Sequence, residues 1–345
     1  MTDASAASQP ELHIWSRNTV RRSVVFDTYW RFATERQQIF HRRASGLQPP
    51  WTSDPVLAGH RFTNAYRASD RVSQYLINVV IPGSYSDPHD VFFRILLFKI
   101  FNRIGTWVSL EREVGQIHAE TYDALRYGEA MARRLATGER LYSAAYIMPI
   151  PRVNDSVRYK HEAHLHLLAS LLKDQVPDRI ANANSLAAVY RILLDCQSFG
   201  PFLAFQYAID LNYSPLISFD ETDFVVAGPG AKSGIEKCFQ DIGGWSYADI
   251  IRWTAELAPQ ELQRLGLEFR DLWGRQLQLI DCQNLFCEVD KYARVTHPGL
   301  AAGSGRSRIK QSYTPNLSPL TYVYPAKWGV EPTVGPKLTQ AIRLG

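Results

Sequence analysis

Apolar positions along the chain mark out helices. Phe26, Tyr29, Trp30, Ala33 and Phe40 recur at helical steps, Phe32 and Ile39 widen that face, and Arg31, Glu35 and Arg42 mark a charged one. The spacing predicts an amphipathic helix over 26–43, ended by the run from Gly46 to Thr52. In the stretch HRFTNAYRASDRVSQYLINVVI, Arg67, Asp70, Arg71 and Gln74 stand three or four apart. Such a row reads as the exposed, ion-paired face of a helix. Its neighbours Phe62, Asn64 and Tyr66 carry a second reading, since rings and amides are what a nucleobase pocket needs. Asp87 and Pro88 open a helix over 91–101 that is apolar nearly all round and therefore expected inside. The polar pair Asn102-Arg103 follows directly, beside Trp107, and requires partners. It either caps the helix end, the commoner case, or lines a cavity beside it. A further helix is expected over 119–137.

Residues 140–158, with Pro149 and Pro151, read as an extended connector or short strand between two helical lobes of about 21–150 and 151–300. In the second lobe Ser185 to Gln197 is helical. Ser198-Phe199-Gly200-Pro201 breaks it, with Gly200 suited to φ > 0 and Pro201 to a helix start. Leu203 to Leu211 resumes the helix. A helix, a tight hairpin and a helix can aim N–H groups at a DNA backbone phosphate, although a plain helical corner has the same pattern. Asp220-Glu221-Thr222-Asp223, before Phe224-Val225-Val226, reads as helix-start chemistry with Asp220 as N-cap. The turn from Gly228 to Gly234 lacks P-loop spacing, because Ala231 precedes Lys232. Two readings stand for it: a helix opened at about Lys232 with its N–H groups on a phosphate, or an ordinary loop. Helices are expected over 247–258, 260–265 and 277–294. In the last, Asp281, Asn284 and Glu288 share one face, and Gln283, Cys287 and Asp290 another. A solvated surface is the first reading and a pocket wall the second.

Composition adds a soluble, globular character: 46% of residues are hydrophobic and 21% charged, and no apolar run reaches the length of a membrane span. The start, MTDASAASQPELH, lacks a signal-sequence pattern, so a cytoplasmic protein is expected, with residues 1–20 a disordered tail. The net charge of +4 is modest but uneven. Between residues 17 and 43, seven arginines face only Asp27 and Glu35; from 301 to 345 six basic residues face Glu331 alone. Basic ends suggest a polyanion partner. The segment 301–345 also carries Tyr313, Tyr322, Tyr324 and Trp328, and either lies along DNA or wraps the body. Cys196, Cys238, Cys282 and Cys287 match no metal spacing, and KHEAHLH places its histidines wrongly for a zinc-protease helix. No metal or cofactor is expected, and the chain is expected to act as a monomer.

The region from Gly200 to Asp220 resembles the helix-hairpin-helix DNA glycosylase superfamily, in which a catalytic aspartate follows the hairpin at the distance of Asp220 from Gly200. Phe202 stands where bifunctional members carry a Schiff-base lysine. Ser198 replaces the usual first hairpin glycine, and the iron–sulfur cysteines are missing. On a wider scale, PPWTSDPVL, RFTNAYRASDRVSQYLI, FNRIGTW, FGPFLAFQYAIDLNYS, VAGPGAKSGI and QNLFCEVDKY together resemble the DNA base hypermodification family, over roughly Tyr29 to Tyr313. That family shares a helical domain with alpha-glutamyl/putrescinyl thymine pyrophosphorylases and hydroxymethyl-deoxyuridine DNA kinases. The resemblance implies a mainly α, two-lobed, glycosylase-like fold acting on double-stranded DNA with modified bases. The leading expectation is a monofunctional DNA glycosylase that excises a hypermodified pyrimidine from phage DNA as a defence. In that scheme Asp220 is catalytic, and Gly200, Gly230 and Lys232 hold phosphates. Asn64, Asp70, Asn102, Arg103 and Gln206 line the base pocket. The alternatives are a transferase that displaces a leaving group from an activated hydroxymethyl pyrimidine, and a non-enzymatic sensor of modified DNA.

Overall fold

A computed structural model describes residues 20–84, 87–152, 157–300, 308–317 and 321–333. The expected tail over 1–20 lies almost wholly outside these residues, as do Arg306, Lys337 and Arg343 of the basic C-terminal segment. The architecture is mainly helical, with thirteen α-helices and one two-stranded ladder among the described residues. Helix α1 spans Val24–Ala44 and is capped by the Ser23 hydroxyl, which accepts from the Val25 N–H at 3.1 Å. Asp54 caps the short α2 (Pro55–Gly59) in the same manner.

The helix expected after His60 is not continuous. A 3-10 turn over Arg67–Ser69, the five-residue α3 (Arg71–Tyr75) and a π turn over Leu76–Val80 take its place. Asp70 is the break: its backbone is extended (φ −70°, ψ 145°), so Arg67 and Asp70 do not share a helix face. Helix α4 (Pro88–Phe101) starts where Asp87 and Pro88 place it and is buried nearly throughout. It stops at Asn102, whose left-handed backbone (φ 47°) turns the chain out of the helix. Helix α5 (Ile104–Val114) was not anticipated, and α6 (Ala124–Ala136) starts five residues later than expected because Asp123 caps it.

The connector has no strand among its described residues, and α7 (Lys160–Lys173), α8 (Val176–Ala181) and α9 (Leu186–Leu194) follow. The turn to α10 (Pro201–Asn212) assigns its glycine differently from expectation. Ser198 takes the left-handed conformation (φ 69°), whereas Gly200 is extended (φ −89°) and precedes the helix-starting Pro201. No helix begins after Asp220. Its carboxylate accepts from the Thr222 N–H at 2.8 Å and the Thr222 hydroxyl at 2.7 Å, closing an isolated turn. Helix α11 opens at Pro229 and runs to Cys238. Helix α12 (Tyr247–Arg264) continues through Pro259 as one element rather than two. The last, α13, spans Leu279–Thr296. Strands β1 (Arg21–Arg22) and β2 (Phe239–Asp241) pair antiparallel and tie the entry of α1 to the exit of α11.

Helix α13 is the centre of the packing. Phe26 and Tyr29 of α1 meet Phe239, Trp253 and Phe286 in one aromatic cluster. Helix α11 approaches so closely that a β-carbon on Gly234 would lie 1.9 Å from the Phe286 carbonyl oxygen, and one on Gly230 2.3 Å from Cys287 Sγ. These glycines are needed for helix contact. The buried core is continuous from Val25 to Tyr324 and joins the two halves of the chain. The described part of the C-terminal segment wraps this body. Tyr313 donates its N–H to the Gly59 carbonyl at 3.0 Å, and Val323 its N–H to Gln74 Oε1 at 2.9 Å. Lys327 reaches the Ile217 carbonyl at 3.0 Å.

Candidate functional site

The segment from Phe62 to Asp70 has few backbone partners of its own, so side chains from α1 and α13 fix its shape. Arg36 donates through Nε to the Thr63 carbonyl at 2.9 Å and through Nη2 to Asn64 Oδ1 at 3.1 Å. Asn284 reaches the Thr63 hydroxyl at 2.8 Å, and Glu288 accepts the Thr63 N–H at 3.1 Å. Held in this way, the segment forms one wall of a cavity of about 1380 Å³. Helix α13 contributes Gln283, Asn284 and Glu288 to the lining, α10 contributes Phe202 and Gln206, α4 contributes Lys99, and the connector contributes Ser143 to Tyr146. The C-terminal segment adds Arg308, Lys310 and Tyr313, so the rim combines exposed basic residues with a ring. The two faces of α13 first read as solvated are thus largely enclosed: Gln283, Asn284, Cys287, Glu288 and Asp290 line the cavity, and Asp281 is buried outside that lining.

Two cations, Arg67 and Lys99, make the floor, and Asp210 pairs with both from outside the lining. Asp210, on α10, is fully buried and accepts from Arg67 Nη1 at 2.8 Å, while Lys99 Nζ lies 3.2 Å from its other oxygen. Burial alone would raise the Asp210 carboxyl; the two cations outweigh that and hold it below its ordinary value. Burial takes Lys99 down to about 8 despite Asp210. Arg67 also donates to the Tyr213 hydroxyl at 3.2 Å, and its backbone N–H meets Asp281 at 2.9 Å. An exposed ion-paired row was the first reading of Arg67, Asp70, Arg71 and Gln74. Arg67 and Gln74 are instead buried, and Arg67 pairs with a residue 143 positions away.

Asp70 also lines the cavity. One carboxylate oxygen accepts the Asn64 N–H at 2.8 Å; the other has no hydrogen-bond partner among the described residues. Burial pushes this carboxyl up to about 7, with Glu288 adding to the effect and the Asn64 N–H and Arg36 opposing it. A group that exchanges a proton near neutrality is suited to acid–base work. Nearby, Gln206 and Gln283 form an amide pair at 3.2 Å. Their remaining amide atoms, one donor and one acceptor, have no partner among the described residues. Exchanging O and N in both amides leaves the same complement.

Of the residues singled out from the sequence, the fold brings Asn64, Asp70, Asn102, Gln206 and Gly230 to the cavity. Asn102 accepts from Lys99 Nζ at 2.9 Å, so the helix-capping and cavity-lining readings both apply to it. Arg103 points away, beside Thr106 and Met131, and is not part of this lining. Gly200, Lys232 and Asp220 also stand outside it: Gly200 has open space around it, Lys232 is exposed over the Tyr247 ring, and Asp220 is exposed at its turn. His161 and His164 are buried and spoken for, the first by the Gly128 carbonyl and the second by Tyr142 and the Pro149 carbonyl. No group of side chains among the described residues is arranged to hold a metal ion. No helix among them is long and apolar enough to cross a membrane.

Sequence reasoning missed Lys99 and Asp210. The signal was present: each is a charged residue inside a mostly apolar helical run, FFRILLFKIF and LAFQYAIDLN, where a buried charge must find a partner.

Comparison with known proteins adds the family context. A family model described as the helical domain of 5-hmdU DNA kinase matches residues 23–302. A 5-hmdU DNA kinase of Bacillus phage SP10 is 30% identical over 290 residues, covering 78% of this chain and 45% of the relative. The chain spans less than half the length of that relative. No solved structure matches. These matches overturn the expectation of a DNA glycosylase, and with it the hydrolase class and base excision in defence. The relative is named as a kinase, which transfers a group rather than hydrolysing a sugar–base bond. The position of Asp220, exposed and committed to Thr222, agrees with that correction.

Proposed function

The chain belongs to the family of the 5-hmdU DNA kinase helical domain, and from that premise we propose that it is a DNA base hypermodification transferase acting on a hydroxymethyl pyrimidine. The observation that carries the reading is the amide pair in the cavity. Gln206 and Gln283 leave one donor and one acceptor unpartnered, the complement of the N3–H and carbonyl edge of a uracil-type base. A cavity of about 1380 Å³ exceeds what one base needs and leaves room for a substituent and a second reactant. Base entry requires the nucleotide to leave the stack. The basic rim, with Arg61, Arg308 and Lys310 exposed, follows the flanking backbone. The α9–α10 hairpin at Gly200 and Lys232 near the start of α11 are the outer phosphate contacts in this scheme.

The reaction proposed is substitution at the exocyclic carbon of an activated hydroxymethyl base. The bond from that carbon to a phosphate or pyrophosphate oxygen breaks, and the electron pair leaves with the anion. A bond from the carbon to an incoming N–H or O–H nucleophile forms, and its proton passes to the free oxygen of Asp70. No part of the 345 residues has P-loop spacing, so base handling rather than nucleotide chemistry is assigned to this body. The name of the phage relative favours a second reading, in which the same pocket presents the hydroxymethyl oxygen for phosphorylation.

The deciding experiment incubates the protein with duplexes containing 5-hydroxymethyl-deoxyuridine, free or phosphorylated on the hydroxymethyl oxygen, and a small-molecule extract of cells. The DNA is then digested to nucleosides for mass spectrometry. A changed base mass on an intact nucleoside, from the phosphorylated duplex, supports the transferase. A gain of phosphate on the free hydroxymethyl base supports the second reading. Unchanged nucleosides in every arm sink both.

A further inference from the structure

Arg67 is 2% exposed, yet three of its five N–H groups are unused. Nη1 serves Asp210 at 2.8 Å and the Tyr213 hydroxyl at 3.2 Å, whereas Nε and Nη2 make no hydrogen bond among the described residues. Those two nitrogens form the side-on edge of the guanidinium, whose parallel N–H groups match two oxygens of one phosphoryl group. Lys99 stands beside it, with Nζ donating to Asn102 Oδ1 at 2.9 Å and ion-paired with Asp210 at 3.2 Å, which leaves N–H capacity for a ligand. Two cations therefore share one carboxylate in direct contact; Asp281 is engaged with the Arg67 backbone N–H rather than with its side chain.

Tyr146 covers this pair. Its ring centroid lies 4.5 Å from Lys99 Nζ and 5.7 Å from the Arg67 guanidinium carbon, and the same ring stacks on Phe202 with planes 1° apart. The backbone of Tyr146 is left-handed (φ 56°), a conformation that costs energy for a bulky residue and concentrates at ligand clamps. It sits in the connector, which has no regular structure among its described residues, so a change of rotamer or loop path disrupts no helix.

We propose that Arg67 and Lys99 form a binding subsite for a phosphoryl oxyanion at the cavity floor, closed in this conformation by the Tyr146 ring. The cation–π contacts of Tyr146 hold the place that the anion takes when the ring withdraws. Under the transferase reading, on which this source depends, the oxyanion is the phosphate or pyrophosphate carried on the base. A phosphate of the DNA backbone has related chemistry and is the source to be distinguished.

The test is calorimetric titration of the full chain with sodium pyrophosphate in chloride buffer, for the wild type, Arg67→Lys and Tyr146→Ala. Arg67→Lys keeps the charge but loses the two-pronged edge, and binding is expected to weaken about tenfold or more. Tyr146→Ala removes the covering ring and is expected to bind severalfold more tightly. Circular dichroism checks that Arg67→Lys folds; Tyr146→Ala, in the half-buried connector, keeps the test decisive if it does not. Equal affinity in all three proteins, or no binding even in Tyr146→Ala, overturns the subsite.

A displacement arm then compares duplexes. Displacement of pyrophosphate by DNA carrying the phosphorylated base, and not by unmodified DNA, supports a base-borne anion. Equal displacement by unmodified DNA overturns that assignment in favour of the backbone. Arg67-dependent pyrophosphate binding without any base modification leaves the subsite standing and removes the transferase. Base modification that is indifferent to Arg67→Lys does the reverse.

Discussion

Asp210 and Asp220 are ten residues apart and occupy opposite environments. Asp210 has no exposed surface and is shared by two buried cations. Asp220 is exposed and closes a local turn through Thr222. Gly200, Asp220 and Lys232, singled out for phosphate contact and catalysis, stand outside the cavity, while Phe202, Gln206 and Gly230 from the same stretch line it. The charges at the cavity floor come from residues that local pattern did not place there: Lys99 and Asp210 inside apolar helices, and Arg67 on a 3-10 turn. The lesson is that a spacing match locates a turn, whereas a charge stranded in an apolar helix locates a site.

The sharpest way to break this comparison is to make the same substitution in both places. Asp210→Asn leaves Arg67 and Lys99 facing an amide, and its N–H₂ can satisfy neither cation. Loss of about 3–5 kcal/mol of stability is expected, the usual cost of removing one member of a buried pair. The Lys99 amine, already down at about 8, is expected to fall further once its partner is gone. Denaturant unfolding measures the first effect; a loss below about 1 kcal/mol would mean that the floor is wet and screened in solution.

A smaller effect follows from the other buried carboxyls. Burial raises Asp70 and Glu221 to about 7 and Asp281 to about 6. Arg275 and Lys327 pull Glu221 down, Asp281 pushes it up, and Arg67 acts from the cavity side. A carboxyl whose folded value is raised binds its proton more tightly in the folded state. Its contribution to stability is therefore full below the ordinary carboxyl range and disappears as pH rises through the folded value. Asp210 has the opposite sign and loses its contribution as pH falls. The raised carboxyls are expected to make the melting temperature decline between about pH 4 and pH 7, a decline that the burial-lowered imidazoles of His161 and His164 oppose. Glu221→Gln, which removes one titrating group that is 3% exposed, is expected to flatten that decline. An identical pH dependence in the wild type and Glu221→Gln would contradict the burial of that carboxyl.

The same contrast explains what was legible in the sequence. Helices α1, α4, α9 and α10 follow from spacing and caps, because local pattern and tertiary burial agree there. The Arg67 to Gln74 row misled because its helical spacing is real but its helix is not: extended Asp70 interrupts it, and the partner of Arg67 comes from α10. No local rule reports a contact across 143 positions. The glycines at 230 and 234 were legible as glycines but not in purpose. Whether such a residue faces a phosphate or the side of another helix depends on where α13 passes, which only the packing shows.

Asp220→Asn is the matching control and has the smallest expected effect. An asparagine Oδ1 still accepts the Thr222 N–H and hydroxyl, and the position is exposed, so stability is expected to stay within about 0.5 kcal/mol. The carboxyl of Asp220 is held below its usual range chiefly by those two hydrogen bonds. It is thus ionised throughout the neutral range and offers no proton exchange there. Base modification measured on the variant is accordingly expected to match the wild type. A severe loss of modification with stability intact would return Asp220 to the chemistry and place the reacting base at the outer turn instead of the cavity. Stability and activity both unchanged, beside an Asp210→Asn variant that loses several kcal/mol, would fix the functional weight of this fold on the buried floor.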